Sequence, residues 1–326
     1  MVISDNVDSS DDGLELSENH HIVMVAEMQQ IGLQLLGYSD QQLIRGEDNE
    51  NGKRFKSAFG ASPSVLCSVY EDLQTSDIVD NGFVVKIAGN YTSLKWLLIS
   101  FHFLRKYPTE KDREYIFNVS ERHSRTKIWD TLRRIQALKA KKITWPNDVG
   151  GDDIWIMSVD GTHCWIAEPG HPIWSQNSEY FSHKFNKAGI NYELGIALSS
   201  QNLIWMNGPY KAGTNDVSIF KDKGLKDCLL LLGKKAIGDA GYNGHQQCCS
   251  TPNPNDTDEV KKFKSRALKR HESFNGMTKV FQSISGRYRH PIGKFPIVFE
   301  AICVICQYKI EADEPLFDIL VEDLIK

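Results

Sequence analysis

The sequence predicts a mixed α/β protein in which a sheet with flanking helices follows an all-helical region. Three observations lead to this prediction. Apolar residues recur at helical spacing through much of residues 53–146. After Trp145 the pattern changes to short runs rich in Val, Ile, Trp and Tyr, which are typical of strands. A long apolar run near the end, FPIVFEAICVICQYKIE, indicates a closing buried helix.

Composition points to a soluble, intracellular protein. The chain has 326 residues, enough for two folded units and a tail, and no apolar run approaches the roughly 18 residues of a membrane span. We therefore expect no membrane association. The first 18 residues carry acidic side chains and no Lys or Arg, unlike a signal peptide. The seven cysteines have no framework spacing, which fits free thiols in a reducing compartment.

Four segments are expected along the chain. Residues 1–52 form an acidic, largely disordered tail, because residues 1–20 offer too little apolar surface to fold. This tail contains one helix, indicated by Met24, Met28, Ile31 and Leu35 and ended by Gly37. A polar linker is expected over residues 40–54. The segments that follow are a helical region over 53–146, an α/β domain over 147–312 and a tail over 313–326.

The helical region contains a pattern typical of a helix-turn-helix. One helix covers Ser93 to Lys106, a second is capped by Thr109 and runs through Phe117, and a third is capped by Ser120 and runs to about Leu138. The third helix would present basic residues near its N-terminus, where such motifs meet DNA: Arg122, Arg125 and Lys127. An ordinary helical bundle with a solvated basic face is an equally good interpretation.

The net charge of −4 does not exclude a nucleic-acid enzyme. Acidic residues are concentrated in residues 1–52, whereas Arg105 to Lys142 has an excess of Lys and Arg. The near-neutral total therefore conceals a local basic face.

The α/β segment predicts a ribonuclease-H-like (RNase-H-like) sheet. Three β-like runs over Ile154 to Ile166, Phe185 to Ser200 and Leu203 to Tyr210 indicate an antiparallel meander. A helix capped by Thr214 or Asn215 follows, then a short strand leading to Asp239, and a long basic helix from about Glu259. The order β-β-β-α-β-α is the topology expected of an RNase-H-like core.

Three carboxylates fall where such a sheet could bind metal. Asp160 is expected at the end of the first strand, Asp239 at the end of the fourth, and Glu272 on the following helix. Cleaving a phosphodiester calls for charge neutralisation at two oxygens, which a pair of divalent cations provides, and hard cations prefer carboxylate ligands. The chain has 42 acidic residues, so three well-spaced carboxylates prove little by themselves.

The sequence motifs around these acids carry more information. VDGTHCWI, GPYKAGTNDVSIF, GDAGYNG and RALKRHESFNGMTKVF occur in this order. The series resembles the catalytic domain of the PIF/Harbinger superfamily of transposases, from about Trp145 to Ile310. The resemblance implies an RNase-H-like DDE endonuclease that uses two Mg²⁺ (or Mn²⁺) ions to excise a DNA element and join its 3′ ends to a target. It implies Asp160, Asp239 and Glu272 as the catalytic, metal-binding acids.

Asp216 in GTNDVSIF competes with Asp239 for the second position. It also matches an aspartate of the family, but it is expected at a helix start, where an N-cap is a sufficient explanation. Strand-end geometry therefore favours Asp239 and leaves Asp216 as an alternative or outer metal ligand.

Several neighbours have candidate supporting roles. His163 could orient a phosphate or a metal-bound water, although a structural histidine is an equal alternative. Arg266 and Arg270 could contact DNA phosphate, and Arg270 could instead pair with Glu272 or another acid. Lys279 could bind DNA or be a solvated charge. Cys303-Val-Ile-Cys306 is interpreted as core packing, and no nucleotide-binding glycine motif occurs.

The leading hypothesis is thus an active, metal-dependent DNA transposase working in the nucleus. Double-stranded DNA, a Myb-like accessory protein and further copies of the chain are the expected partners. The alternative is a domesticated descendant that binds DNA or protein without cutting. A phosphohydrolase of small substrates is disfavoured by the basic helix-turn-helix and by Arg266 and Arg270.

Overall fold

The computed structural model describes residues 24–75, 77–80, 83–86, 93–145, 153–169, 178–222, 224–312 and 314–319. The helices are α1 (24–35), α2 (Asp40–Arg45), α3 (Asp48–Phe59), α4 (Pro63–Thr75), α5 (Leu94–Lys106), α6 (Glu110–Phe117), α7 (Glu121–Ala137), α8 (Lys139–Lys142), α9 (Asp216–Asp222), α10 (Leu225–Leu232), α11 (Asp258–Thr278), α12 (Gln282–Ser285) and α13 (Phe295–Ala312). The strands are β1 (Asp77–Asp80), β2 (Phe83–Lys86), β3 (Trp155–Trp165), β4 (Phe181–Ser182), β5 (Lys187–Ala197), β6 (Leu203–Lys211), β7 (Lys235–Ile237) and β8 (Cys249–Ser250). The expected disorder of residues 1–20 lies outside the described residues.

The main sheet is mixed. β3, β5 and β6 form the expected antiparallel meander, β7 lies parallel to β3, and β8 lies parallel to β7. Short β4 pairs with the start of β5. The order β6-β5-β3-β7-β8, with helices before and after β7, is consistent with an RNase-H-like domain.

Polar side chains set the helix starts that the sequence predicts before the sheet. Ser93 and Ser120 accept hydrogen bonds from backbone amides of α5 and α7. Thr109 and Asp112 form a reciprocal capping box at α6. The two helices of the expected helix-turn-helix, α6 and α7, are therefore present, and their role in binding DNA stays a prediction.

The prediction of a polar linker over residues 40–54 is wrong, because α2 and most of α3 occupy it. Ser39 and Gln42 cap α2 reciprocally, with the Gln42 side chain accepting from the Ser39 amide at 2.8 Å. α3 opens with a polar turn and buries its apolar side chains, Phe55 and Phe59, only near its end. A polar helix start thus looks like a linker.

The β1–β2 hairpin lies where only helices are expected. Asp80 pairs with Phe83, so residues 81–82 connect the two strands. Asn81-Gly82 between two runs of branched residues is a hairpin signal, which the surrounding helical pattern outweighs.

Helix α13 joins the helical region to the sheet. It is buried along most of its length and packs against α4, α7 and α8 as well as β6 and α11. One apolar cluster contains Leu97 of α5, Leu194 of β5 and Ile302 of α13. Cys303 and Cys306 are fully buried in the same cluster, as the core-packing interpretation expects.

Polar contacts reinforce this junction. Glu300 of α13 accepts from Lys139 Nζ at 2.7 Å, and Gln307 Oε1 accepts from the Leu203 amide of β6 at 2.9 Å. Over the described residues, no helix combines the length and apolar character needed to span a membrane.

Candidate active site

Asp160 lies inside β3 and not at its end, which corrects the sequence-based expectation. β7 pairs with β3 only as far as Ser158, whereas β5 accompanies it to Trp165. β3 therefore continues beyond its parallel neighbour, and Asp160 falls where β7 has stopped. Asp160 thus lies just beyond the end of the parallel pairing.

Asp216 is brought directly beside this point. It is the first residue of α9, and the preceding Asn215 caps the helix by accepting from the Ser218 amide at 2.8 Å. A Cβ added to Gly161, the next residue of β3, would lie 2.4 Å from Asp216 Oδ1. The absence of a side chain at Gly161 is therefore what lets the Asp216 carboxylate lie against β3. Because Asn215 serves as the cap, capping does not account for Asp216.

Asp239 follows β7 after one intervening glycine. Its Oδ1 accepts from the Gly241 amide at 2.8 Å and caps the short turn Ala240–Tyr242. A Cβ on Gly241 would lie 2.8 Å from Asp239 Oδ1 and 3.8 Å from Asp216 Oδ2. Three acids from three separate elements, Asp160, Asp216 and Asp239, thus occupy one edge of the sheet. We call them the aspartate cluster.

Carboxylates of the cluster shift the pKa values of Asp160 and Asp216 upward. Burial, followed by repulsion from Asp239 and Asp216, raises the pKa of Asp160 to about 6, against the lowering influence of the Gly161 amide and Lys184. Burial and repulsion from Asp239 also raise the pKa of Asp216, again opposed by Lys184. A bound cation would relieve this repulsion.

Glu272 is not brought into contact with these aspartates. Its side chain is exposed on α11 and has no hydrogen bond or ion pair with any described residue. Its helix α11 nevertheless packs alongside β3, since His271 Nδ1 lies 3.3 Å from Ser158 Oγ and Asn275 Oδ1 lies 2.5 Å from Thr162 Oγ1. Among the described residues, no three His, Cys, Asp or Glu side chains already enclose a point where a metal ion could bind.

The supporting residues fall in different places. His163 lies near the cluster, with Nδ1 3.1 Å from Asn191 Oδ1, and its pKa is lowered mainly by burial. Lys279 is exposed after the end of α11. Arg266 donates to the Asp318 carbonyl at 2.6 Å and stacks over Phe317.

Arg270 has a structural position, which corrects its expected contact with DNA or Glu272. The side chain is fully buried and donates to the carbonyls of Ala197 and Leu198. Ala197 is the last residue of β5 and Leu198 follows it, so the guanidinium supplies hydrogen-bond donors to backbone groups at the end of this strand.

The basic residues of α7 are partly engaged. Arg122 and Arg125 are exposed and Lys127 is half-buried. Arg125 forms a two-point ion pair with Glu110 of α6, with Nε 2.6 Å from Oε1. This pair joins α6 to α7 and occupies part of the expected basic face.

Two residues near the cluster are missing from the sequence prediction. Lys184, in the turn between β4 and β5, lowers the pKa values of Asp160 and Asp216, and nothing in its local pattern distinguishes it. Glu193 of β5 is only 1% exposed, and its signal was a lone acid within the apolar strand YELGIA. Burial and repulsion from Asp216 raise its pKa to about 7, against a hydrogen bond from Trp205 Nε1 at 3.0 Å.

A mixed sheet with flanking helices and a carboxylate cluster beside its central strand is consistent with an RNase-H-like DDE domain. Residues 159–307 match the family model of the DDE superfamily endonuclease. The matched segment contains the aspartate cluster and Glu272, and it supports a DDE transposase domain in this part of the chain. No curated protein and no solved structure matches the chain.

Proposed function

We propose that the chain is a DDE transposase that cleaves and joins DNA phosphodiesters with two divalent cations, Mg²⁺ or Mn²⁺. One observation carries the proposal: the three aspartates of the cluster, from separate elements, lie together where β7 stops beside β3. Hard divalent cations prefer such oxygen ligands. When bound roughly 3.5–4 Å apart, two ions neutralise charge on the attacking and leaving oxygens.

Within this proposal the acids have different roles. Asp160 would hold the cations together with Asp216, which lies directly against the neighbouring Gly161. This assignment reverses the expected preference for Asp239, because Asp216 is the acid whose carboxylate lies against β3 itself. Glu272 would complete the set by turning its exposed side chain toward β3, along which its helix lies.

Lys184 supplies positive charge next to the acids. Its ammonium group lowers the pKa values of Asp160 and Asp216, so it lies within electrostatic reach of both. In the complex it would hold a phosphate of the DNA beside the cations, which is the usual role of a lysine at such a site.

The proposal extends to partners and place of action. The PIF/Harbinger resemblance supports a double-stranded DNA substrate, a Myb-like accessory protein, assembly of several copies and action in the nucleus. Arg122 and Lys127 at the start of α7, together with Lys279, are the proposed DNA contacts of this chain.

A domesticated protein that binds without cutting is the second candidate. The observation that favours it is the exposed Glu272, together with the lack, among the described residues, of an already assembled three-ligand metal site. Nuclease activity separates the two candidates.

The test is a nicking assay on supercoiled DNA with Mg²⁺ or Mn²⁺. We expect Asp160→Asn, Asp216→Asn and Glu272→Gln to reduce nicking on the order of a thousandfold or more, because each removes a charged ligand. Asp239→Asn should have a smaller effect. Asp227→Asn, an exposed acid on α10, is the matched control and should nick normally.

Two results would contradict the proposal. A wild-type protein that binds DNA but does not nick it with either metal supports the domesticated candidate. If Asp216→Asn nicks normally and Asp239→Asn does not, Asp239 is the second acid.

A further inference from the structure

A pocket of about 280 Å³ opens next to the aspartate cluster. One wall contains Asp216 of the cluster with the adjacent Gly161 and Gly241. The other wall is formed by residues 181–185, which are β4 and the turn that follows it. Anything bound here lies beside the phosphate that the proposed cations would engage. The pocket is too polar and too open to be a packing defect, since Lys184, Asn191 and Thr214 also line it.

An ordered stack of rings forms the floor of this pocket. The His163 ring lies flat over Gly189, where an added Cβ would be 2.0 Å from His163 Cε1. Phe185 stacks on His163 with ring centroids 4.5 Å apart and an angle of 19° between the ring planes. The hydrogen bond between His163 and Asn191 fixes the imidazole in its plane. His163 therefore contacts both Gly189 and Phe185.

The Phe185 ring is partly open to solvent. Phe185 is 47% exposed although it is a large apolar ring beside a charged site. Its conformation is held by the stack beneath it, so it would lose little side-chain freedom on binding a planar ligand.

Positive charge accompanies the ring. Lys184 Nζ lies 5.5 Å from the Phe185 centroid, and Lys187 Nζ lies 4.6 Å from the centroid of Trp165, which is 37% exposed. Exposed aromatic rings alternating with lysines are the combination that binds nucleotides outside a duplex, because the rings stack on bases and the lysines contact phosphates.

We propose that this pocket binds one unpaired DNA base next to the cleavage position, stacked on Phe185, with Lys184 on the adjoining phosphate. The inference rests on the proposed function, since it specifies the substrate of that same site as DNA with an unstacked nucleotide. A base removed from its neighbours must be supported by other planar groups, and the stack provides one.

The test uses a single-stranded DNA oligonucleotide with one 2-aminopurine, measured with EDTA so that no cutting occurs. Wild type should bind it and quench its fluorescence. Phe185→Ala should weaken binding about tenfold and abolish the quenching, because base stacking on an aromatic ring is lost. Phe185→Trp should preserve both. Phe317→Ala is the matched control, since Phe317 is 41% exposed and also lies beside a cation, Arg266.

The outcomes separate this inference from the proposed function. Equal binding and quenching by wild type and Phe185→Ala, or no binding by wild type, overturn the base pocket whether or not the protein nicks DNA. Quenching that is lost in Phe185→Ala and kept in Phe185→Trp and Phe317→Ala supports the pocket, even if the nicking assay fails. Wild type and Phe185→Trp should likewise nick a duplex with a mismatched base faster than a fully paired duplex. Phe185→Ala should nick the two duplexes at equal rates.

Discussion

At the scale of single residues, Glu193 shows how the site alters an ionisable group. Its side chain is buried, Oε2 accepts one hydrogen bond from Trp205, and Oε1 has no partner. Burying a carboxylate with so few partners penalises its charged form, and Asp216 adds repulsion. The folded protein therefore binds a proton at Glu193 more tightly than the unfolded chain does.

We predict that Glu193 makes stability depend on pH. Its pKa rises from 4.5 in the unfolded chain to about 7 on folding, so the free energy of unfolding should fall as pH rises between about 4.5 and 7. The loss should reach about 3 kcal/mol. Glu193→Gln should remove this part of the slope and stabilise the protein at pH 8. Urea unfolding at several pH values measures it, and an unchanged slope in Glu193→Gln would refute the prediction.

At the scale of elements, local chemistry predicts most helix starts. The predicted capping residues Thr109 and Ser120 are short polar side chains at helix starts, and the structure confirms both. Ser93, expected as the first residue of its helix, is its N-cap. The meander is likewise confirmed, because alternating strands separated by turns form pairs locally.

What the sequence leaves open at this scale depends on distant contacts. The meeting of Asp216 with β3 depends on the missing side chain at Gly161, a contact between residues far apart in the chain. The sequence favours Asp239 because it does not show how far β3 continues beyond the end of β7. The start of α3 is not evident from the sequence for a similar reason, since the side chains that α3 buries pack against elements elsewhere in the fold.

The α6 cap offers a test at this scale. Thr109→Ala should lower the free energy of unfolding by about 1 kcal/mol, because it removes the side-chain acceptor of the Asp112 amide. Thr126→Ala, on the exposed surface of α7, should have little effect. Urea denaturation compares the two variants, and losses of equal size would show that the cap is not important.

At the scale of the whole molecule, the helical region and the sheet share one core. Leu97, Leu194 and Ile302 belong to a single apolar cluster, so neither part can lose its packing without exposing the other. The expected division between residues 53–146 and 147–312 therefore does not coincide with a gap in the core.

We expect the two parts to unfold together. Ile302→Ala removes a fully buried side chain from α13 and should destabilise the protein by about 2–5 kcal/mol. Native-state hydrogen exchange should show equal losses of protection in α5 and β5. Ile44→Ala, at an 83% exposed position, should leave both unchanged. Loss of protection in only one part would show that the two fold independently.

The burial of α13 has a consequence for the synthesis of the protein. The helical region and the sheet both need the packing of α13, which begins only at Phe295. A ribosome that stops early releases a product whose apolar surfaces have nothing to cover them, and such a product is a target for chaperones and proteases. A nonsense mutation before this helix should therefore remove the folded helical region as completely as the folded sheet.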